Sequence, residues 1–202
     1  MPEKKVNRTS VIVLGLSIAI LVAAAVIMQQ DNKVKHNVLD PYAGIGGDFV
    51  LQSADGPVSL SNYKDKLVVL YFGYAFCPDV CPTSLGLLSL ALQQLSKDEL
   101  EKIQPFFISV DPERDTVEKL RTYTEAFHPA IKGITGTPEQ IAEIAKRYGV
   151  MYMKVDLPNS AMKYAVDHSS RYYLVDSKGK VKSFIEHGTE PDKIAAALRA
   201  AM

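Results

Sequence analysis

The sequence predicts an α/β domain: a mixed β-sheet with helices on both faces. Three observations carry this. The continuous apolar run rich in β-formers at 67–72 has the composition of a strand buried on both sides, and 106–110 reads as the next strand. Stretches with helical spacing alternate with them, and the chain closes on two strands joined by a short turn and followed by a helix. Strand, helix, strand, helix and then hairpin, helix is the order of a mixed sheet covered on both faces.

The domain is expected to begin near Asp48. Residues 49–52 and 58–60 flank the turn cluster Ser53-Ala54-Asp55-Gly56-Pro57 as a hairpin. Leu67-Val68-Val69-Leu70-Tyr71-Phe72 is the first central strand. From 82 to 95, Leu85, Leu88, Ala91, Leu92 and Leu95 recur at helical spacing, with Pro82 suited to a first turn. Phe106-Phe107-Ile108-Ser109-Val110 is the next strand, closed by Asp111-Pro112, and an amphipathic helix over 116–127 ends at His128-Pro129. Thr137-Pro138-Glu139-Gln140 combines a capping residue, Pro at the first helical position and Gln where a capping box needs it, so a helix runs to Tyr148 and stops at Gly149. Residues 150–155 alternate as one strand face. Residues 171–175 and 181–185 flank the turn Asp176-Ser177-Lys178-Gly179 as a hairpin, and 191–200 is the last helix. This is the thioredoxin-like order, with an extra N-terminal hairpin and an inserted helix.

At 202 residues, 47% hydrophobic and 23% charged, the chain has room for one domain and an appendage, and it is neither disordered nor a disulfide scaffold. Its 23 Lys and Arg balance 23 Asp and Glu, and without a positive field no nucleic acid is expected as a partner. The appendage is N-terminal. An uncharged apolar run over 11–28 is about as long as the shortest helices that cross a hydrocarbon core, and Lys4, Lys5 and Arg8 precede it. The positive-inside bias then makes 1–10 a cytoplasmic N-terminus, 11–28 a transmembrane anchor, 29–47 a linker and 48–202 the exported domain. A cleaved signal peptide competes, since Ala23-Ala24-Ala25 supplies small residues, but the run exceeds the roughly 7–15-residue apolar core of such signals. The expected location is the inner membrane, single-pass, with the soluble domain in the periplasm. No cysteine follows the run, which argues against a lipoprotein anchor.

The chain has two cysteines, Cys77 and Cys81, and a bridge between them closes a loop too small to remove much unfolded-chain entropy. They are there for chemistry. Both lie where the first central strand runs into a helix N-terminus, the end of an open sheet at which ligands bind, and the helix dipole there favours thiolate. Cys-x-x-x-Cys puts both sulfurs on one side of a tight turn, able to chelate a soft metal or to oxidise to a disulfide. His168 lies in a loop over 165–170, before the closing hairpin, which in a thioredoxin layout faces the Cys pair. Two thiolates and one imidazole are a soft, low-coordinate donor set that suits copper, Cu(I) above all with Cu(II) as a second state, and one ligand short of a closed zinc site. Thioredoxin-type oxidoreductases present a proline from this loop, whereas Asp167-His168-Ser169 stands here.

Other polar residues read more plainly. Asp79 is either a tuning carboxylate near the sulfurs or a solvated loop residue. Asp111, Glu113, Arg114 and Asp115 read as a charged loop that caps the next helix. His36, His128 and His187 are not expected to be ligands, and Met151 and Met153 read as a strand face and not as thioether ligands. A peroxiredoxin signature would need Pro and Thr or Ser where Leu70 and Tyr74 stand, which sets that chemistry aside.

Phe72-Gly73-Tyr74 running into Cys77-Pro78-Asp79-Val80-Cys81-Pro82, then Ile108-Ser109-Val110-Asp111-Pro112-Glu113-Arg114-Asp115-Thr116, Gly133-Ile134-Thr135-Gly136-Thr137 and Asp167-His168-Ser169-Ser170, resemble in order the motifs of the Sco/SenC family. The resemblance spans from about residue 48 to the end. It implies a membrane-tethered, thioredoxin-fold copper metallochaperone that helps assemble the CuA centre of cytochrome c oxidase. Cys77, Cys81 and His168 then correspond to copper ligands, subunit II of the oxidase is the acceptor, and other copper chaperones or a thiol reductant are further partners. The alternative is a thiol-disulfide oxidoreductase that cycles Cys77 and Cys81, acting on the oxidase subunit's cysteines or in redox signalling. His168 separates the two, because metal binding needs it and thiol exchange does not.

Overall fold

The computed structural model describes residues 21–26 and 41–202. The chain divides into two units, residues 1–43 and Gly44–Met202. In the first, residues 21–26 are helical; the rest of the anchor expected over 11–28, and the linker up to residue 40 with His36, lie outside the described residues. Among the described residues no helix is long and apolar enough to cross a membrane.

The second unit opens on residues bonded to it: the Gly46 N–H donates to the Arg147 carbonyl at 2.8 Å and the Gly47 N–H to Gly179 at 3.1 Å. β1 (Val50–Ser53) and β2 (Gly56–Ser59) then form the N-terminal hairpin, in register Val50 opposite Ser59. Five strands build the central sheet: β3 (Leu67–Gly73), β4 (Ile103–Ser109), β5 (Lys132–Ile134), β8 (Arg171–Val175) and β9 (Val181–Glu186). Their order is β5-β4-β3-β8-β9, parallel from β5 to β3 and antiparallel from β3 to β9. Every residue of β3 and β4 is buried, which explains why neither sequence alternates apolar with polar residues.

Alternate residues of these strands face opposite layers. On one face Tyr71 stacks on Phe107 and tilts against Tyr172, Phe107 meets Tyr123 of α3 (Val117–Glu125), and the Tyr172 hydroxyl donates to the Ser84 carbonyl of α1 (Val80–Leu92) at 2.6 Å. On the other, Phe72 and Tyr173 pack on Tyr148 of α4 (Pro138–Tyr148). Helices therefore cover both faces, and the architecture is a thioredoxin-like α/β fold with a mixed sheet. Each such aromatic pair adds about 0.5–1.5 kcal/mol beyond its buried area. The last helix, α5, is Pro191–Ala201.

Capping accounts for several boundaries. The Thr137 side chain accepts from the Gln140 N–H and the Gln140 side chain from the Thr137 N–H, Pro138 opens α4, and Gly149 ends it at φ +65°. The same box, Ser96 with Glu99, starts α2 (Lys97–Glu101), a helix the apolar spacing does not reveal because five residues are too few to display a period. The three-residue β5 is hidden for the same reason. The loop expected over 165–170 is instead largely a strand: β7 (Tyr164–His168) pairs with β6 (Tyr152–Asp156), Tyr152 opposite His168, as a separate two-stranded sheet. Only Val166 of β7 is fully buried, so its sequence lacks the apolar alternation that marks a strand.

Candidate metal centre

The site is assembled from two segments. β3 ends at Gly73, the chain turns through residues 74–79, and α1 starts at Val80, so Cys81 sits in the first turn of the helix and Cys77 just before it. A Cβ at Gly73 would lie 2.6 Å from Cys81 Sγ and 2.9 Å from the Phe107 ring, so only glycine lets the sulfur pack against the strand end. The second segment is the end of β7, which delivers His168 from the far side. Its Nε2 lies 3.2 Å from Cys81 Sγ, and the donor atoms of Cys77, Cys81 and His168 all lie within 4.8 Å of one another.

Both cysteines are buried free thiols. The Cys77 thiol is pushed down to about 3, because the Cys81 thiol donates a hydrogen bond to it; burial opposes this, and His168 and the backbone N–H groups of Asp79 and Cys81 reinforce it. The Cys81 N–H is 3.5 Å from Cys77 Sγ. Cys81 is pushed up, by donating that same bond and by its complete burial. Metal-free, the pair thus holds one shared proton with the thiolate on Cys77, the sulfur at the helix N-terminus.

His168 is oriented from the other side. Its Nδ1 lies 3.1 Å from the Ser169 carbonyl, to which it donates, so Nε2 is the nitrogen that faces the sulfurs and is placed to ligate a metal. The rings of Tyr71 and Tyr74 meet the imidazole edge-on at 6.3 and 5.9 Å. Metal–thiolate bonds of about 2.3 Å let one ion bridge donors up to about 4.6 Å apart, so the three atoms are within a small side-chain adjustment of holding one ion.

The structure brings together the three residues expected from the sequence and places the others elsewhere. Asp79 is exposed at the N-cap of α1, with no side-chain bond to the helix. His128 accepts from the Ala130 N–H, and His187 is bonded to Ser84 at 2.8 Å. Met153 lies in β6 and Met151 just before it, exposed at 63% and 79%. The Asp111–Asp115 segment does not cap α3: that helix is capped by Thr116, whose side chain accepts from the Lys119 N–H. Asp111 and Asp115 are instead fully buried. Asp115 accepts from the Ala75 N–H at 2.9 Å and from the Ser109 hydroxyl at 2.6 Å, tying the turn before Cys77 to the end of β4. Charge at a strand–helix junction suggested a cap; what distinguishes a tether from a cap is a partner 40 residues away, which spacing does not encode.

Fold and side chains together define a class: a thioredoxin-fold protein with two thiols and an imidazole converging at the sheet end. The SCO1/SenC family model matches residues 39–202, and the chain belongs to that family. It is 40% identical over 153 residues, 75% of its length, to the mitochondrial protein SCO1 homolog 1 of Arabidopsis thaliana, and spans 45% of that relative's own length. Among solved structures it resembles Bradyrhizobium japonicum ScoI with copper bound, at 38% identity and a TM-score of 0.71, over 78% of this chain and 99% of that one. It also resembles BsSco, a protein with an identified disulfide switch and a member of the Sco family of cytochrome c oxidase assembly proteins, at 25% identity and a TM-score of 0.60, over 81% of this chain and 96% of that one.

Proposed function

We propose that the chain is a copper-binding assembly factor that carries copper through Cys77, Cys81 and His168 to the CuA site of cytochrome c oxidase, with subunit II as acceptor. The observation that carries this reading is the convergence of two sulfurs and an Nε2 lone pair within 4.8 Å at the end of the sheet. Such a set favours Cu(I), and with three donors and no fourth among the described residues it can pass the ion on by ligand exchange. The copper-bound Bradyrhizobium relative and the oxidase-assembly role of BsSco's family point the same way. The apolar run over 11–28 would tether the domain, with its periplasmic side facing the acceptor in the same membrane.

A second reading is favoured by the Cys77 thiolate beside the Cys81 thiol: a dithiol that becomes a disulfide as it reduces a disulfide of the acceptor's cysteines to two thiols. One experiment separates them. The reduced full chain is titrated anaerobically with Cu(I) against a competing chelator, wild type beside His168→Ala. The copper reading expects one tightly bound Cu(I) per chain and at least tenfold weaker binding in the variant, about 1.4 kcal/mol. Equal, weak binding by both with the thiol couple intact would leave the oxidoreductase.

A further inference from the structure

The β6–β7 hairpin that carries His168 pairs with no strand of the central sheet, and an isolated two-stranded hairpin is marginally stable in water. Its place beside the Cys turn therefore depends on side chains, and Arg114 on the loop after β4 supplies a connected set of them. Arg114 Nη1 donates to the carbonyls of Met162 at 3.1 Å and Tyr164 at 3.0 Å, and the guanidinium lies 3.6 Å over the Tyr164 ring. Its Nε pairs with Asp111 Oδ2 at 2.5 Å, while Asp111 Oδ1 accepts from the Tyr164 hydroxyl at 2.8 Å. A triangle closes around a carboxylate with no exposed surface. The same guanidinium faces the rings of Phe76 at 5.0 Å and Tyr74 at 5.6 Å, both on the turn that leads to Cys77, and Tyr74 in turn meets His168 edge-on.

We propose that Arg114 is a positioning residue of the metal centre: its fork and stacked plane clamp the His168 hairpin onto the Cys turn and hold the imidazole beside the two sulfurs. The proposal rests on the copper reading above. It requires the planar fork specifically. A lysine keeps the charge next to Asp111 but cannot bond two hairpin carbonyls while stacking on Tyr164.

The test is a double-mutant cycle on the reduced full chain, with Cu(I) affinity measured by chelator competition in wild type, Arg114→Gln, His168→Ala and the double variant. Arg114→Gln should weaken Cu(I) binding by about tenfold, as loss of groups that orient a ligand does. In the His168→Ala background the same change should have little further effect, because nothing remains to be positioned. In the metal-free protein, amide hydrogen exchange at Ala165 and Asp167, whose N–H groups bond across to β6, should quicken in Arg114→Gln, while the amides of Val69 and Phe107 in the central sheet keep their protection. Equal weakening in both backgrounds would mean that Arg114 acts through the thiols or the fold at large, and no weakening would mean that it does not position the site; either overturns the proposal. Wild-type copper binding by His168→Ala would instead overturn the copper reading, with hydrogen exchange still deciding the clamp. Should Arg114→Gln fail to fold, Arg114→Lys carries the same cycle.

Discussion

Gly73 lies directly under Cys81: a Cβ on the glycine would stand 2.6 Å from the cysteine sulfur, with Phe107 of the neighbouring strand closing the other side. Neither neighbour is free to move, since both are fully buried in the sheet end. Gly73→Ala is expected to cost about 1–3 kcal/mol, the range for overpacking a filled core, and to weaken Cu(I) binding by displacing Sγ. Urea unfolding and chelator competition on the same variant check both parts. An alanine accommodated with wild-type stability would show that the sulfur's position is not set by this contact.

The two thiols should differ in reactivity. Cys77 carries the thiolate and retains 9% of its surface, whereas Cys81 is the proton-bearing partner and has none exposed. Brief iodoacetamide treatment of the reduced, metal-free protein, followed by peptide mass spectrometry, is expected to find carbamidomethyl on Cys77 well before Cys81. Equal labelling would contradict the assignment.

Thr116 caps α3, so its loss should touch stability and not copper. Thr116→Ala is expected to lower unfolding free energy by about 1 kcal/mol. Cu(I) affinity should stay at the wild-type value, because the Asp115 bond to Ala75 and the Arg114 clamp survive the change. A cap mutation that also weakened copper binding would mean that α3 and the Cys turn are coupled more tightly than these bonds indicate.

His128 gives the fold an acid-sensitive component. Burial holds its pKa below the ordinary 6.5, and the Ala130 N–H donates to Nδ1, which requires that nitrogen to be unprotonated. As pH falls through 6.5 the unfolded chain takes up this proton before the folded one. The contribution is therefore complete above that pH and is lost on acidification. Between pH 7.5 and 5.5 the wild type should lose more stability in urea than His128→Gln does; parallel losses would assign the acid sensitivity to other groups.

Much of the fold was legible because local chemistry wrote it. The unbroken apolar run of β3 announces a strand buried on both faces, Phe106-Phe107-Ile108 marks β4, and the Thr137–Gln140 box with Gly149 marks both ends of α4. The Cys pair was legible too, as two thiols at a strand-to-helix turn. α2 and β5 were too short to display a period, and β7 buries one residue in five, so it passed for a loop. The Asp111–Asp115 segment was visible as charge, but its destination was not.

The sequence by itself determined which residue types the site offers, two sulfurs and an imidazole, and the layered sheet that carries them. Tertiary structure alone decided that His168 Nε2 meets Cys81 Sγ across 87 residues of chain, that Asp115 reaches back to Ala75, and that Arg114 joins the two halves of the site. The physical reason is that strand runs and helix caps are set by neighbours within one turn or one pleat. The meeting of the Cys turn with the β6–β7 hairpin depends instead on bonds between segments that find each other only when the sheet has formed.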